Sequence, residues 1–366
     1  MKKTIIIFSN PFGYGPTGNA IPILYSLLEK TKNIDIVFAG SGLCMEIVSN
    51  VSVKKVYLNE RNESEIENYL KTIENPYVIA SQNKFCIKIA KKLSIPCSYI
   101  DVLAWFWKEI PQDHFLADEI FWIKFPNIEE KIPKEKDNIH IVSSIITTIP
   151  PTTRKINKLT IHIGGAKYPL LNEIPFSYLN LISKGLNALK TNFNNILFVA
   201  GTEAINYLKQ KVTNEKILLV SLPKDKFICE LEQSTHMLTT AGVSSTLESF
   251  ALNVPTSFLL PLNLSQVALI DMLKEQGLNP QCLEWDNYTK VNNKLRDMTE
   301  KEALVEIDRY AKTLDYDDNL SKKFMQDFIQ IAESIPENSK QKELIEYMGK
   351  SGANEIVDIL AKKWAL

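Results

Sequence analysis

The sequence contains little glycine, histidine and cysteine for its length. Of 366 residues, 13 are glycine, 4 are histidine and 5 are cysteine. The cysteines form no Cys-x-x-Cys pair and fall in apolar surroundings, which favours buried free thiols over disulfides or a zinc site. The histidines are dispersed along the chain. We therefore expect neither a disulfide framework nor a metal centre.

Strong charge and long apolar runs are missing as well. The formal net charge is −1, which argues against a nucleic-acid partner held by a strongly basic surface. Lys2 and Lys3 precede an apolar run that is too short for a signal peptide and is not followed by a cleavage site. No run approaches the ~20 apolar residues that span a bilayer. A cytoplasmic protein without a membrane span is expected, and its oligomeric state stays open.

Strand-like and helix-like runs alternate along most of the chain. The strand-like runs are rich in Ile and Val without strict alternation, which is typical of strands buried on both faces. Strands that alternate with helices predict βαβ units and a parallel sheet. In the first part of the chain these runs cover residues 4–8, 34–40, 54–58, 77–81, 97–102, 119–124 and 139–143.

Two adjacent prolines, Pro150 and Pro151, interrupt this alternation, and it restarts with a strand at 158–163. Adjacent prolines favour an extended chain and stop both helix and sheet. The sequence therefore predicts an α/β fold of two tandem Rossmann-like, doubly wound domains. Their predicted bounds are 1–150 and 151–320, and helices over 321–366 are expected to pack back across the domains.

The loop after the first predicted strand is rich in glycine. Gly13, Gly15 and Gly18 match the letters of the dinucleotide motif G-x-G-x-x-G. That motif also needs an acidic residue at the far end of the second strand, but Asp35 lies at its start. Three interpretations stay open: a dinucleotide site, a loop that another molecule approaches closely, or a tight turn without a ligand.

A second loop carries small and hydroxyl residues into a helix at 239–248. Main-chain N–H groups at Ser244, Ser245 and Thr246 could face an anion at the helix start. Glu248, one turn further on, could accept the two vicinal hydroxyls of a ribose. The alternative is a capping box, with Ser245 at the N-cap and Glu248 three residues later.

Residues 240–266 resemble the nucleotide-sugar signature of glycosyltransferases with the two-domain GT-B fold. Residues 15–22 are similar to the acceptor-side loop of such enzymes, and residues 163–166 to the first loop of their donor domain. The resemblance implies a UDP-sugar donor with no further cofactor, an acceptor domain at 1–150 and a donor domain at 151–320. Two departures are Ala241 and Ser244, which stand where glycines are common. A third is Asn19, which stands where a histidine base is often found.

The resemblance and the loop patterns together give two sets of expected binding residues. The donor side comprises Gly164, Gly165, Lys167, Leu222, Phe227, Gly242, Ser244, Ser245, Thr246, Glu248 and Gln266. The acceptor side comprises Gly13, Gly15, Gly18, Asn19, Trp105 and Trp107. For several of these residues a plain structural role stays open: Phe227 as a core residue, Gln266 in turn chemistry, and Lys167 as a solvated lysine.

Asp101 is the expected proton acceptor, because it ends a predicted strand and precedes three aromatic residues. Trp105 and Trp107 could stack on a planar acceptor. The alternative is that the tryptophans belong to the core and that Asp101 caps the next helix. Asp113 and His114 are the reserve candidates.

The opening glycine loop and residues 99–107 also resemble cytosylglucuronate synthases. That resemblance implies UDP-glucuronate as the donor and a nucleobase such as cytosine as the acceptor. The expected reaction is a metal-independent, inverting displacement at the anomeric carbon. Two alternatives are a nucleotide-sugar epimerase or hydrolase of the same fold, and a non-catalytic nucleotide-binding protein.

Overall fold

A computed structural model describes residues 2–147, 155–167, 173–289 and 294–364. The chain divides into two compact units. The first comprises Met1–Thr148 with Ile345–Leu366, and the second Ile149–Leu344. The predicted boundary at Pro150 and Pro151 lies outside the described residues.

The first unit is built on a parallel seven-stranded sheet in the order β3-β2-β1-β4-β5-β6-β7. Central strands are apolar on both faces, as in β1, where Ile5, Ile6 and Ile7 are all fully buried. The strands are β1 (Lys3–Ser9), β2 (Ile34–Gly40), β3 (Lys54–Tyr57), β4 (Pro76–Ser81), β5 (Cys97–Asp101), β6 (Glu119–Ile123) and β7 (Ile139–Val142).

Helices connect the strands of the first unit, and the C-terminal helix returns to it. The connecting helices are α1 (Gly15–Lys30), α2 (Gly42–Ile47), α3 (Glu63–Lys71) and α4 (Lys84–Lys92). The C-terminal helix α13, Gly352–Trp364, packs on α1, where Ser26 Oγ donates to Asn354 Oδ1 over 2.7 Å. The last helix of the chain therefore completes the core of the first unit.

The second unit is built on a parallel five-stranded sheet in the order β10-β9-β8-β11-β12. Its strands are β8 (Lys158–His162), β9 (Asn195–Val199), β10 (Ile217–Val220), β11 (His236–Thr239) and β12 (Thr256–Phe258). Its helices are α5 (Phe176–Ala188), α6 (Thr202–Leu208), α7 (Lys224–Glu232), α8 (Val243–Ala251), α9 (Leu264–Glu275), α10 (Glu300–Tyr316) and α11 (Asp318–Glu333).

Helices α10 and α11 pack on α5, and the short helix α12, Ser339–Met348, leads back to the first unit. The prediction of two tandem doubly wound domains with C-terminal helices is confirmed. Within the described ranges, no helix is long and apolar enough to span a bilayer.

Candidate functional site

Each sheet reverses its strand order beside the first strand of its unit. In the first unit, β2 and β3 lie on one side of β1, and β4 to β7 on the other. In the second unit, β9 and β10 lie on one side of β8, and β11 and β12 on the other. The loops that follow the two strands at such a reversal diverge, and doubly wound folds bind ligands in the crevice that results. We call these places the β1/β4 crevice and the β8/β11 crevice.

The loop after β1 is tied to the end of β4, and there is open space at Gly13 in this loop and at Gly15, the first residue of α1. The Asn10 amide donates to the carbonyl of Gln82 over 2.9 Å, and its oxygen accepts from the N–H of Phe12 over 3.1 Å. Gly13 has φ +65, and a Cβ at Gly13 or Gly15 would meet no atom of the described residues within 4 Å. A ligand can therefore approach this backbone closely.

Two other residues predicted for this loop lie inside α1 instead. Gly18 donates its N–H to the carbonyl of Tyr14 over 2.8 Å, and the Asn19 amide donates to the carbonyl of Gly15 over 2.9 Å. Both residues are buried, with Asn19 only 3% exposed. Both residues therefore stabilise the first turn of α1, because their polar groups are used by hydrogen bonds within the helix.

Asp101 and His114 form a hydrogen-bonded pair at the carboxyl end of β5. His114 lies in the 3-10 helix Gln112–Leu116, and its Nδ1 is 2.9 Å from Asp101 Oδ2. The other carboxylate oxygen, Oδ1, accepts from the N–H of Leu103 over 2.9 Å. Asp101 is 1% exposed and His114 5%. Two of the three predicted proton-transfer candidates thus form one pair. The carboxylate of Asp101 is held by the N–H of Leu103 and by the ring of His114.

The third candidate, Asp113, is held elsewhere. Its carboxylate forms ion pairs with two lysines of α4, at 2.9 Å from Lys88 Nζ and 3.6 Å from Lys84 Nζ. The hydrogen bond from Lys88 lowers the pKa of Asp113. An exposed carboxylate that is paired in this way anchors the 3-10 helix to α4 and is a poor proton acceptor.

Trp105 and Trp107 leave the end of β5 in different directions. The Trp105 ring stacks on Phe125, with centroids 4.7 Å apart and planes 22° apart. The Trp107 indole N–H donates to Asp101 Oδ2 over 3.2 Å, and its ring meets that of His114 edge-on at 5.7 Å. Both rings are partly buried. Trp107 is therefore part of the Asp101–His114 network, whereas Trp105 is anchored on the core.

In the second unit, the loop after β8 packs against the loop after β9. Gly164 has φ +63, and its carbonyl accepts from the N–H of Gly201 over 3.0 Å. A Cβ at Gly201 would lie 2.5 Å from the carbonyl oxygen of Gly165, so glycine is required there. Lys167, at the end of this loop, pairs with Glu203 at 3.3 Å. The predicted glycine turn is therefore formed, and Lys167 links it to Glu203 of α6.

The loop after β11 ends in a helix that begins at a glycine. Gly242 is the N-cap of α8, so the helix start has no capping side chain. Ser245 Oγ donates back to the carbonyl of Gly242 over 3.1 Å, and Thr246 is fully buried. The alternative capping box, with Ser245 as the N-cap, is not formed. Because a helix start carries main-chain donors and the positive end of the dipole, α8 is suited to an anion in the β8/β11 crevice.

Glu248 is occupied by a partner that the sequence did not indicate. Its carboxylate forms an ion pair with Lys224 Nζ, at the start of α7. The side chains are 1% and 11% exposed, respectively. Burial and the nearby ammonium of Lys224 lower the pKa of His162, the last residue of β8, to about 3. A ribose could reach Glu248 only if this ion pair rearranged.

The two apolar residues predicted to flank a nucleobase belong to the core. Phe227 is 4% exposed, and its ring stacks on His162 with centroids 4.5 Å apart. Leu222 packs against the same buried cluster, which includes Val199 and Met237. The core alternative for Phe227 therefore describes the structure, because its ring is buried and stacks on His162.

Gln266 and its neighbour Asn263 are used at the start of α9. Asn263 is the N-cap and accepts from the N–H of Gln266 over 3.0 Å. Gln266 Oε1 accepts from the N–H of Leu262 over 2.7 Å. Turn chemistry therefore accounts for the amide oxygens of both side chains.

One Asp-x-Asp spacing occurs in the chain, at Asp315 and Asp317. Asp315 pairs with Lys184 of α5 at 2.9 Å, and Asp317 caps α11. Both carboxylates thus have structural roles where the helices α10, α11 and α5 meet.

The comparison with known proteins rests on solved structures alone, because no protein-family model and no curated protein matches the sequence. The chain is similar to the S. aureus MnaA–UDP co-structure (TM-score 0.57, 14% identity, covering 100% of this chain and 97% of that one). It is also similar to a UDP-glucosyltransferase from Polygonum tinctorium that glucosylates indoxyl (TM-score 0.55, 14% identity, 100% and 99%). A third is a Listeria monocytogenes protein assigned as a UDP-N-acetylglucosamine 2-epimerase (TM-score 0.53, 15% identity, 100% and 98%).

These similarities extend over almost the whole length of both chains at low sequence identity. They show that the chain has the GT-B fold of two Rossmann-like domains. A glucosyltransferase and an assigned epimerase share this fold, so the fold by itself does not select the reaction.

Proposed function

We propose that the chain is a glycosyltransferase that moves a sugar from a UDP-sugar to a small-molecule acceptor. The observation that carries the proposal is the buried Asp101–His114 pair at the carboxyl end of β5, beside the β1/β4 crevice. A carboxylate that orients an imidazole is the arrangement of a general base.

His114 takes the role of proton acceptor, and Asp101 supports it. If Nδ1–H donates to Asp101 Oδ2, then Nε2 carries the lone pair that can take a proton. The buried carboxylate also stabilises the imidazolium that forms. The role of proton acceptor, first expected for Asp101, is thus assigned to His114, because both oxygens of Asp101 already have hydrogen-bond partners.

The proposed step is a single displacement. The acceptor proton passes to His114 Nε2, and the acceptor lone pair forms a bond to the anomeric carbon. The bond from that carbon to the β-phosphate oxygen breaks, and its electron pair leaves with UDP. In this step the α8 main-chain donors stabilise the leaving diphosphate, and Lys167, which pairs with Glu203 in the structure, adds a positive charge. The step uses no metal ion and no cofactor beyond the donor, and it inverts the anomeric centre.

The finer substrate assignment rests on the sequence resemblance and the aromatic residues. Trp107 presents its ring beside the proposed base, His114, which suits a planar acceptor. We therefore propose a nucleobase such as cytosine as the acceptor, UDP-glucuronate as the donor, and the cytoplasm as the location.

The test is a thermal-shift and calorimetry screen of nucleotide sugars, followed by product analysis with candidate nucleobases. A true donor should raise the unfolding temperature as RT ln(1 + [L]/Kd) predicts, and transfer should consume donor and acceptor in equal amounts. Nucleotide binding without turnover against any acceptor would instead favour the non-catalytic alternative. The absence of nucleotide binding would overturn the proposal.

An epimerase or hydrolase of the same fold is the second candidate, since one of the solved structures with this fold is assigned as a 2-epimerase. Such an enzyme would act on the nucleotide sugar without an acceptor. Incubation with the donor alone therefore separates the two: an epimerised sugar or free UDP would support the second candidate, and an unchanged donor would support transfer.

A further inference from the structure

One partly buried lysine closes the turn that follows β5. Lys131 ends the 3-10 helix Ile128–Lys131, and its Nζ donates to the carbonyls of Trp107 over 2.6 Å and Trp105 over 2.7 Å. A third carbonyl, that of Ala104, lies 3.4 Å away. Burial lowers the pKa of Lys131. A single ammonium with three donors thus meets three carbonyls of one turn.

The turn that Lys131 closes carries the network around His114. Within it, Phe106 donates its N–H to the carbonyl of Leu103 over 2.9 Å, and Leu103 donates its own to Asp101. At its end, Trp107 donates to the same Asp101 oxygen that His114 contacts. The ammonium is also close enough to Asp101 for the two charges to attract one another.

Carbonyls that are shielded from water cost free energy when they lack donors, and here one group from outside the turn reaches all three. The two tryptophan side chains of the turn are used elsewhere, because Trp105 stacks on Phe125 and Trp107 donates to Asp101. Lysine suits the role, since its ammonium is compact and its stem is flexible.

We propose that Lys131 is a positioning residue for the acceptor side, which holds Trp107 against Asp101 and thereby presents the indole to the acceptor. This inference rests on the proposed transferase function. Loss of the ammonium frees the turn, and the indole N–H leaves the carboxylate. Acceptor binding then weakens more than donor binding, because the donor groups belong to the other unit.

The experiment compares Lys131→Met, Lys131→Arg and the control Lys134→Met, which removes an exposed lysine three residues along the chain. For Lys131→Met we expect the acceptor KM to rise about tenfold, as the loss of one set of charge-assisted hydrogen bonds would give. The donor KM and the affinity for UDP should change less than twofold. Lys131→Arg should restore most of the acceptor KM, and Lys134→Met should behave like the unmodified chain.

A second measurement follows the turn directly. Amide hydrogen exchange at Leu103 and Phe106 should become faster in Lys131→Met, whereas exchange in the core strand β4 should not change. If Lys131→Met merely unfolded, its amides would lose protection from exchange throughout the chain. In that case the exchange and kinetics of Lys131→Arg would be compared with those of the unmodified chain.

The outcomes separate this inference from the function on which it rests. Unchanged acceptor KM and unchanged exchange in Lys131→Met, with active transferase, would overturn only the role of Lys131. A donor KM that rises as much as the acceptor KM would also overturn it. No transfer by the unmodified chain would overturn both.

Discussion

The β1/β4 and β8/β11 crevices differ in the kind of polar group that each presents. The first has side chains that can move a proton, with His114 oriented by a carboxylate. The second has main-chain donors at a glycine-capped helix start and a buried Lys224–Glu248 pair. The strand-order reversal, a feature that both units share, thus presents side-chain groups in one unit and main-chain donors in the other.

The difference shows why histidine content alone says little about function. In the second unit, burial lowers the pKa of His162 to about 3 and that of His236 to about 4, so both are neutral structural groups. In the first unit, His114 has a carboxylate partner. A neutral buried imidazole packs against a ring, whereas an imidazole with a carboxylate can accept a proton and hold the charge.

The largest expected effect comes from breaking the His114–Asp101 pair. His114→Gln should lower kcat by about 10²–10⁴-fold, the usual contribution of a general base. Asp101→Asn should also lower kcat while sparing UDP binding, because the carboxylate that orients the imidazole is lost. Steady-state kinetics and calorimetry with UDP provide the measurements.

The matched control for this pair is Asp113→Asn, which removes the neighbouring carboxylate that pairs with α4. Its kcat should stay within a few fold of the unmodified chain. Equal losses in Asp113→Asn and His114→Gln would show that the 3-10 helix, and not the pair, is what matters.

In the second unit, Lys224→Met should destabilise the chain by about 3–5 kcal/mol, because the buried carboxylate of Glu248 loses its ion pair with Lys224. The double variant Lys224→Met/Glu248→Gln should recover most of that loss. If Glu248 also binds the ribose, the double variant will bind UDP more weakly than the unmodified chain does, even though its stability is restored. Denaturant unfolding and calorimetry measure the two effects separately.

Lys226→Met, at an exposed lysine of the same helix, is the control for this comparison. Full UDP affinity in the double variant would remove Glu248 from the donor site. It would leave the ion pair as a purely structural contact between α7 and α8.

A smaller effect is expected from acid. An unfolded histidine takes up a proton near pH 6.5, but His236 in the fold does so only near pH 4. The unfolded state therefore binds more protons between these values, and His236 should contribute roughly 3 kcal/mol to the loss of stability as the pH drops through this window. His162, whose pKa is also lowered, adds to this loss. His236→Gln should reduce that slope, which thermal unfolding at pH 7.5 and 4.5 can measure.

The corresponding control lies in the first unit, where His140 is partly exposed and 2.6 Å from Glu119. His140→Gln should leave the acid slope of the second unit unchanged. A slope that is equally steep in His236→Gln and the unmodified chain would contradict the assignment of buried, neutral His236.

The strands and their loops were largely predictable, because buried parallel strands need continuous apolar runs. The first glycine loop is shorter than predicted, because Gly15 and Gly18 belong to α1, but the predicted run at 34–40 matches β2. The glycine-rich turn at Gly164 also formed as expected. These features depend on neighbours in the chain, so the local pattern contains the information.

Pairings between distant residues were not predictable in the same way. Asp101 and His114 were both candidates, but nothing in their spacing showed that they bond to each other. Lys224 and Lys131 were not singled out at all, since a lysine that follows a loop looks like any solvated lysine. The one available hint at Lys224 was its position directly after Pro223, at a helix start.

The amino-acid sequence alone determined the two parallel sheets and the glycine turns, because apolar runs and backbone freedom act over a few residues. Only the tertiary structure decided which polar groups meet: His114 with Asp101, Glu248 with Lys224, and Lys131 with its three carbonyls. The physical reason is that a buried polar group must find a partner wherever the fold brings one near, at any distance along the chain.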